Sequence, residues 1–259
     1  MNLQIENKTA LITGSTKGIG FAIARLLAEE GASVILNGRS EASVNAAVAQ
    51  IGRRARGVAA DVSTAAGCAA LVKQAPHADI LVNNAGIFEP KPFAEIPDAD
   101  WERFYQVNVL SGVRLTRAYL PGMLARNWGR VVFISSESGV QIPEEMIHYG
   151  MTKAAELALV NGIARLTKGT GVIVNAVLPG STASEGVTEF VGQLAANARQ
   201  TPAKFEQEFF RSVRPTSLLQ RFATADEVAA MVAYTCSGAA SATNGAALRV
   251  DGGVVRTTI

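Results

Sequence analysis

Short apolar runs alternate with amphipathic segments along most of the chain, and this rhythm limits the possible folds more than any other feature of the sequence. Residues 9–13 (TALIT) have the composition of a strand, and residues 19–30 have the apolar spacing of a helix. Further strands are predicted at 33–37, 56–60, 79–83, 130–135, 171–178 and 247–250, and further helices at 41–51, 65–74, 100–125, 149–166 and 225–234. The strands lack polar alternation, so both faces of their sheet must be covered. This order predicts an α/β fold, a doubly wound three-layer sandwich around a parallel sheet of about seven strands.

Length and composition favour one globular domain over residues 1–259. Hydrophobic residues make up 48% of the chain and charged residues 18%, which suits one large core. No linker or repeat interrupts the pattern. Residues 181–221 form the only long stretch outside it, and we interpret them as a flap that covers the substrate.

Charge and residue counts exclude several classes of function. A net charge of +2 without a long basic run argues against a nucleic-acid partner. No apolar stretch reaches the roughly 20 residues of a membrane span, and the first eight residues lack the core of a secretion signal, so we predict no membrane partner and a cytoplasmic protein. Two cysteines and two histidines give no metal-ligand pattern, so no metal is predicted.

A glycine-rich turn separates the first strand from the first helix. Its sequence is TGSTKGIG, residues 13–20. Glycine is needed where a backbone turns tightly against a pyrophosphate, and the N–H groups of the following helix attract phosphate. This placement indicates a Rossmann-like dinucleotide site. Its candidate residues are Gly14, Ser15, Thr16, Lys17, Gly18, Ile19 and Gly20.

The second strand ends without an acidic residue. A carboxylate there normally accepts hydrogen bonds from an unphosphorylated adenosine ribose. Here the sequence is NGRS, and Arg39 together with Lys17 could hold a 2′-phosphate through charge-assisted hydrogen bonds. The sequence therefore favours NADP(H) over NAD(H) as cofactor.

Tyr149 and Lys153 lie four residues apart at the start of a predicted helix, on one of its faces. A phenol normally has a pKa of about 10, and an adjacent cation favours its ionised form. Tyr149 could therefore act as general acid in a reduction and as general base in an oxidation. Ser135 and Ser136 follow the fifth strand, at the sheet edge where ligands collect, and a hydroxyl there can stabilise a carbonyl oxygen as negative charge develops.

Taken together, these motifs resemble those of the short-chain dehydrogenase/reductase family in its compact, single-domain form, over essentially the whole chain. The family pattern TGxxxGxG is met at residues 13–20, and its NNAG segment at residues 83–86. The resemblance implies a nicotinamide cofactor. It adds Asp61, Val62, Asn84, Ala85, Gly86, Pro179, Gly180 and Thr182 to the residues expected to bind that cofactor, together with Tyr149 and Lys153.

The resemblance also implies a catalytic tetrad of Asn108, Ser136, Tyr149 and Lys153. Ser136 is chosen over Ser135 because its distance of thirteen residues to Tyr149 is the common family spacing. Asn108 would hold a helix distortion and a water that relays protons from Lys153, and Lys153 would also bind the nicotinamide ribose. The segment VDGG, residues 250–253, matches a family signature that often belongs to a tetramer interface, so a homotetramer, or else a dimer, is expected.

The implied function is hydride transfer between NADP(H) and a ketone or secondary alcohol of a small substrate. One alternative is a 3-oxoacyl-thioester reductase served by an acyl-carrier protein, but the positions that are basic in such relatives are Asn127 and Thr170 here. Another is a non-catalytic NADP-binding sensor or scaffold, which the intact tetrad disfavours. Three acids between Ser136 and Tyr149 are interpreted as solvated loop residues; in the pocket they would favour a polar or cationic substrate. These acids are Glu137, Glu144 and Glu145.

Overall fold

A computed structural model describes residues 2–183 and 201–258 of the chain, and its centre is a parallel sheet of seven strands. The order of the strands across this sheet is β3-β2-β1-β4-β5-β6-β9. Two shorter strands, β7 and β8, pair with each other beside it. The strands are β1 (Thr9–Ile12), β2 (Ser33–Gly38), β3 (Ala55–Ala59), β4 (Ile80–Asn83), β5 (Gly129–Ile134), β6 (Val172–Pro179), β7 (Thr182–Ala183), β8 (Ala223–Thr224) and β9 (Ala247–Val250). The predicted fold class is confirmed.

Helices connect the strands and cover both faces of the sheet. They are α1 (Gly18–Glu29), α2 (Glu41–Ile51), α3 (Ala65–Gln74), α4 (Asp98–Phe104), α5 (Ser111–Ala125), α6 (Ile147–Arg165), α7 (Pro202–Ser212) and α8 (Ala225–Cys236). Short 3₁₀ turns precede α4 and α6 and follow β5 and α8, at Phe93–Glu95, Glu144–Met146, Glu137–Gly139 and Gly238–Ala240. Side-chain caps fix several helix starts; at α8, Thr224 and Glu227 form a complete capping box.

The core has two layers, one on each face of the sheet. Along β1, Ala10 and Ile12 belong to the cluster under α1 and α8, whereas Leu11 belongs to the cluster under α3 and α5. Successive strand residues point to opposite faces, so β1 must be apolar at every position to serve both layers. This explains why the strand sequences show no polar alternation.

The helix predicted at 100–125 is a helical run that changes its winding. Residues Tyr105–Leu110 form a π-helix between α4 and α5. Asn108 lies within this π-helix; its Oδ1 accepts a hydrogen bond from the Ile87 N–H at 2.8 Å, and its Nδ2 donates to the Ile87 carbonyl at 3.0 Å. A π-turn adds one residue to the helical ladder and often occurs at a functional site.

The carboxyl ends of β1, β4, β5 and β6 meet at one edge of the sheet. The strand order reverses there, because β1 pairs with β2 on one side and with β4 on the other. Open α/β sheets bind ligands at such a switch point. Of the predicted flap, residues 184–200 lie outside the described residues; the described part contains α7, whose Phe209 and Phe210 pack against Phe222.

Within residues 2–183 and 201–258, none of the helices has the length and apolar character needed to span a bilayer. The same residues contain no cluster of three His, Cys, Asp or Glu side chains that could hold a metal ion. Both cysteines, Cys68 and Cys236, are buried thiols.

Candidate active site

The turn between β1 and α1 requires glycine at several positions. Gly14 has φ of +59° and Gly18 has φ of +60°, a region that other residues rarely adopt. A Cβ on Gly20 would lie 2.4 Å from the Asn84 amide nitrogen and 2.5 Å from the Gly14 carbonyl oxygen. The loop is therefore packed too tightly for any side chain at Gly20.

Two polar side chains hold this loop against the end of β4. The buried Thr13 hydroxyl accepts hydrogen bonds from the Asn84 N–H at 3.0 Å and from the Ala85 N–H at 2.9 Å. The Asn84 amide donates to the carbonyls of Thr13 and Gly14, at 2.9 and 3.0 Å. The NNAG segment thus fixes the shape of the glycine-rich loop.

The amino terminus of α1 has the properties of a phosphate site. Its N-cap residue is Lys17, no side chain caps its first turn, and that turn contains no acidic residue. The first N–H groups and the positive end of the helix dipole are thus left for an anion. Tight glycine packing together with these N–H groups fits the pyrophosphate of a dinucleotide.

The end of β2 presents cations rather than an acid. The Asn37 side chain points inward, where its amide donates to the carbonyls of Val58 and Ala60 at 3.2 and 3.0 Å. Arg39 and Lys17 are exposed and have no ion-pair partner among the residues that the structure describes. At the end of β3, Asp61 is exposed and its carboxylate accepts the Ser63 N–H, whereas Val62 is buried.

Two neighbouring serines at the end of β5 have different partners. The Ser135 hydroxyl donates to the Lys153 carbonyl at 2.9 Å, so it anchors α6. The Ser136 hydroxyl donates to Glu137 Oε2 at 2.6 Å. Both residues border a cavity of about 470 Å³. The Ser135 hydroxyl joins β5 to α6, whereas the Ser136 hydroxyl donates within its own turn.

Tyr149 and Lys153 border the same cavity from α6, and Asn108 lies directly behind them. The Lys153 Nζ lies 5.8 Å from the centroid of the Tyr149 ring. The Asn108 amide donates to the Thr152 hydroxyl at 2.9 Å. An ideal Cβ on Gly86 would lie 3.6 Å from both Asn108 Oδ1 and Lys153 Nζ, so the NNAG segment reaches this point as well.

The segment after β6 closes one side of the cavity, with Pro179, Gly180 and Thr182 in its wall. A Cβ on Gly180 would approach the Asp251 carbonyl oxygen to 2.7 Å. The Thr182 hydroxyl donates to the Gly180 carbonyl at 2.9 Å. These contacts bring the VDGG segment under the wall rather than into the cavity.

Comparison with known proteins shows the relationship that this geometry suggests. The family model for short chain dehydrogenases matches residues 8–194. The chain belongs to the short-chain dehydrogenase family. It is 48% identical to the uncharacterized oxidoreductase YvaG of Bacillus subtilis over 99% of both chains, and 34% identical to a D-beta-hydroxybutyrate dehydrogenase of Cupriavidus necator over 97% of this chain and 99% of that one.

Solved structures of other short-chain dehydrogenases share the fold in detail. The L-sorbose reductase of Gluconobacter frateurii, complexed with NADPH and L-sorbose, superposes with a TM-score of 0.94 at 32% identity, covering 99% of this chain and all of that one. The present protein is accordingly an oxidoreductase of the CH-OH/C=O type with a fold that binds a nicotinamide cofactor.

The electrostatics around Tyr149 differ from the expectation that Lys153 alone would lower its pKa. Burial raises the pKa of Tyr149. Lys153 and Ser136 lower that pKa and two carboxylates raise it, so the net shift is upward. These carboxylates belong to Glu137 and Glu156. The cation therefore offsets part of the burial cost instead of producing a strongly acidic phenol.

The sequence did not predict the buried contacts of three ionisable residues at this site. Glu137, interpreted as a solvated acid, is only 4% exposed and lies 3.3 Å from Nε of Arg214. Arg214 also pairs with Glu145 at 3.1 Å. Glu156 is 1% exposed and pairs with Lys153. Glu156 follows Lys153 by three residues, a spacing that predicts a contact between them on one face of a helix. Nothing in the sequence position of Arg214 indicates its contacts.

Proposed function

We propose that this short-chain dehydrogenase transfers a hydride between the nicotinamide of NADP(H) and a ketone or secondary alcohol of a small substrate. The observation that carries the proposal is the meeting of Ser136, Tyr149 and Lys153 at one cavity, beside the phosphate-binding features of α1. The nicotinamide ring supplies or accepts the hydride when the cofactor is bound. A cavity of about 470 Å³ suits a small molecule together with part of a cofactor.

In the reductive direction, Tyr149 gives its phenolic proton to the carbonyl oxygen while that carbon receives the hydride. The O–H bond of the phenol breaks, an O–H bond of the product alcohol forms, and a phenolate remains until it recovers a proton from solvent. When substrate is bound, the single O–H of Ser136 turns from Glu137 and donates a hydrogen bond to the same oxygen as negative charge develops on it. The Lys153 ammonium favours the phenolate, and Asn108 positions the start of α6 through Thr152.

The preference for NADP(H) is supported by the charge at the end of β2. Arg39 and Lys17 are exposed cations without partners among the described residues, and the Asn37 side chain is occupied with backbone carbonyls. A 2′-phosphate would therefore meet two cations and no carboxylate on this strand. The L-sorbose reductase with similar structure was crystallised with NADPH, which is consistent with the proposal.

The walls of the cavity favour a neutral substrate with an apolar part. Aromatic side chains from α7 and from the segments after β4 and before β8 face it, together with Met146 and Val213; these aromatics are Phe88, Phe205, Phe209 and Phe222. Among the described residues, Arg214 is the one arginine in the wall, and it is already paired with Glu137 and Glu145, which leaves one net negative charge in that group. An anionic substrate would meet this charge, so we place neutral ketones above keto acids.

A carrier-delivered thioester is the second candidate, and the surface supports it less. Asn127 adopts φ of +52° and its side-chain oxygen accepts the Gly171 N–H at 2.8 Å, so it links two loops. Thr170 likewise donates its hydroxyl to a backbone carbonyl, that of Thr167. Arg126 lies 3.6 Å from Asp79, which reduces the positive charge offered to an acidic carrier.

Two further expectations belong to this proposal. Residues 181–221 act as a flap over the substrate, because α7 and the residues after it contribute Phe205, Phe209 and Arg214 to the cavity wall. The protein assembles as a homotetramer, and two exposed apolar side chains, Tyr105 of the π-helix and Leu166 directly after α6, are candidates for buried contacts. Light scattering should then give four times the chain mass of 27.1 kDa.

The test is a panel of neutral ketones, keto acids, acyl thioesters and alcohols followed by the absorbance of reduced nicotinamide, with NADPH and NADH in parallel. Tyr149→Phe should lower kcat by about 10²–10⁴-fold but still bind the nucleotide, because it removes one hydroxyl and leaves the glycine-rich loop and Lys153 in place. Tyr234→Phe on α8 is the control. Equal turnover by Tyr149→Phe and wild type would refute the assigned role, and faster turnover of thioesters than of any ketone would favour the carrier-dependent reaction.

A further inference from the structure

Glu156 lies on the same stripe of α6 as the proposed proton donor and its cation. Tyr149, Lys153 and Glu156 follow one another at intervals of four and three residues, which places their side chains on one side of a helix. That side faces the end of β5 and the cavity. The reaction proposed above gives Glu156 no task, yet its side chain is 2% exposed and carries an ionisable group.

The contacts of Lys153 show what Glu156 does locally. The Lys153 Nζ donates to the Ile134 carbonyl at 2.8 Å and to the two carboxylate oxygens of Glu156 at 3.1 and 3.2 Å. An ammonium has three N–H donors, and the oxygens around it match that number. Glu156 therefore fixes both the position and the orientation of the ammonium.

Burial makes the charge of Glu156 depend on pH near neutrality. Burial raises the pKa of the Glu156 carboxyl to about 7, although Lys153 and the Ser135 hydroxyl act in the opposite direction. Burial lowers the pKa of Lys153, but Glu156 and Tyr149 raise it by more than burial lowers it. The pKa of Lys153 is therefore raised overall, and Lys153 stays a cation. Ionised Glu156 thus gives a neutral pair, and protonated Glu156 leaves an uncompensated cation beside the phenol.

The elements packed around Tyr149 define which other charges matter. The turn after β5 contributes Glu137, which raises the pKa of Tyr149 and is itself paired with Arg214. The π-helix contributes the neutral Asn108, and β6 carries no ionisable side chain. Asp100 and Arg103 of α4 pair with each other and with Lys91 and Glu89 of the segment after β4. On α6 itself, Lys153 lowers the pKa of Tyr149 and Glu156 raises it.

We propose that Glu156 is a positioning residue of the active site: it fixes the Lys153 ammonium and, when ionised, offsets the charge with which Lys153 favours the Tyr149 phenolate. This inference rests on the proposed function, in which Tyr149 is the proton donor. It predicts that the acidity of Tyr149 is set by a pair of residues rather than by the lysine alone.

The direct test is a pH titration of Tyr149 by near-ultraviolet difference absorbance, since a phenolate absorbs differently from a phenol. The chain has four tyrosines, so the Tyr149 signal is obtained by subtracting the titration of Tyr149→Phe in the same background. Glu156→Gln keeps the size of the side chain and removes its charge. We expect it to lower the pKa of Tyr149 by about one unit, because a negative charge near the phenolate is lost.

The second readout is the pH profile of kcat/KM for alcohol oxidation, which requires the phenolate. Its acid limb should move to lower pH by the same amount in Glu156→Gln. Glu29→Gln is the matched control: it removes a glutamate that pairs with Arg25 at 2.9 Å at the far end of α1, and it should move neither readout. An unchanged Tyr149 pKa and an unchanged profile in Glu156→Gln would overturn the proposal.

Glu156→Asp separates charge from packing. It keeps the charge and shortens the side chain, so the pKa of Tyr149 should stay close to the wild-type value; a fall as large as that in Glu156→Gln would indicate loosened packing and contradict the charge-based role. Should Glu156→Gln not fold, a fall of about one unit in the pKa of Tyr149 from wild type to Glu156→Asp would overturn the charge-based role. The titration needs no substrate, so a wild type that turns over no compound would refute the proposed function while leaving this result readable.

Discussion

The cofactor preference gives the sharpest test of the site, because two cations at the end of β2 and the start of α1 carry it. Arg39 is exposed and has no ion-pair partner in the described part of the chain, so its removal breaks no internal contact seen there. Arg39→Gln keeps hydrogen-bonding capacity and removes the charge. Any change in cofactor use then reports the missing interaction with the 2′-phosphate.

The magnitude follows from the exposure of the side chain. A hydrogen bond to a charged group contributes about 1.5–3 kcal/mol, and solvent screening at an exposed position favours the lower end. About 1.5 kcal/mol corresponds to roughly a tenfold change in affinity. Arg39→Gln should therefore raise KM for NADPH about tenfold and leave KM for NADH within about a factor of two. Lys17→Gln in addition should weaken NADPH binding further.

The assay is initial-rate kinetics with both nucleotides and one substrate, repeated at two ionic strengths, since a screened charge interaction weakens with salt. Arg53→Gln is the matched control, because this exposed arginine precedes β3 and so lies at the amino ends of the strands, whereas Arg39 lies at their carboxyl ends. Equal effects of Arg39→Gln on NADPH and NADH, or a wild type that prefers NADH, would refute the reasoning.

Three further predictions concern the loop and the buried pair. Thr13→Val leaves the Asn84 and Ala85 N–H groups without their acceptor and should cost about 2 kcal/mol, a fall in Tm of about 4–8 °C that Thr13→Ser avoids, measured by thermal unfolding. Gly20→Ala drives a methyl group into Asn84 and Gly14 and should weaken nucleotide binding at least about tenfold by calorimetry, whereas Gly162→Ala, with open space around it, should not. The pKa of Glu156 is raised from 4.5 to about 7 in the folded state, so the stability that its protonated form contributes is complete below about pH 4.5 and is lost as pH rises through 7. Denaturant unfolding between pH 5 and 8 should show this slope in wild type and not in Glu156→Gln.

The sequence determined the fold through periodicity and the position of the site through its motifs. β1 illustrates the first point, because alternate residues serve opposite core layers and every position must be apolar. The glycine-rich turn illustrates the second, because the positive φ at Gly14 strains other residues and close packing leaves no space for a Cβ at Gly20. Local rules of this kind act on neighbouring residues, so they can be read directly from the chain.

Long-range ion pairs could not be predicted in this way. Arg214 meets Glu137 across 77 residues of chain, and only the packing of the segment after α7 over the cavity brings them together. The π-helix at Tyr105–Leu110 depends on Asn108 bonding to the backbone of Ile87, a contact between separate segments. The net shift of the Tyr149 pKa likewise depends on burial by distant segments, so the spacing to Lys153 alone does not predict it.

The two ion pairs around Tyr149 have a common consequence for the direction of the reaction. Glu156 offsets Lys153 on one side of the phenol, and Glu137 raises the pKa of Tyr149 on the other while Arg214 balances its charge. With its pKa raised by burial and by both carboxylates, Tyr149 is protonated at neutral pH, which is the form that a carbonyl reduction consumes. Oxidation needs the phenolate and therefore a higher pH. In the proposed mechanism, the upward shift of the Tyr149 pKa therefore predicts a higher pH optimum for alcohol oxidation than for carbonyl reduction.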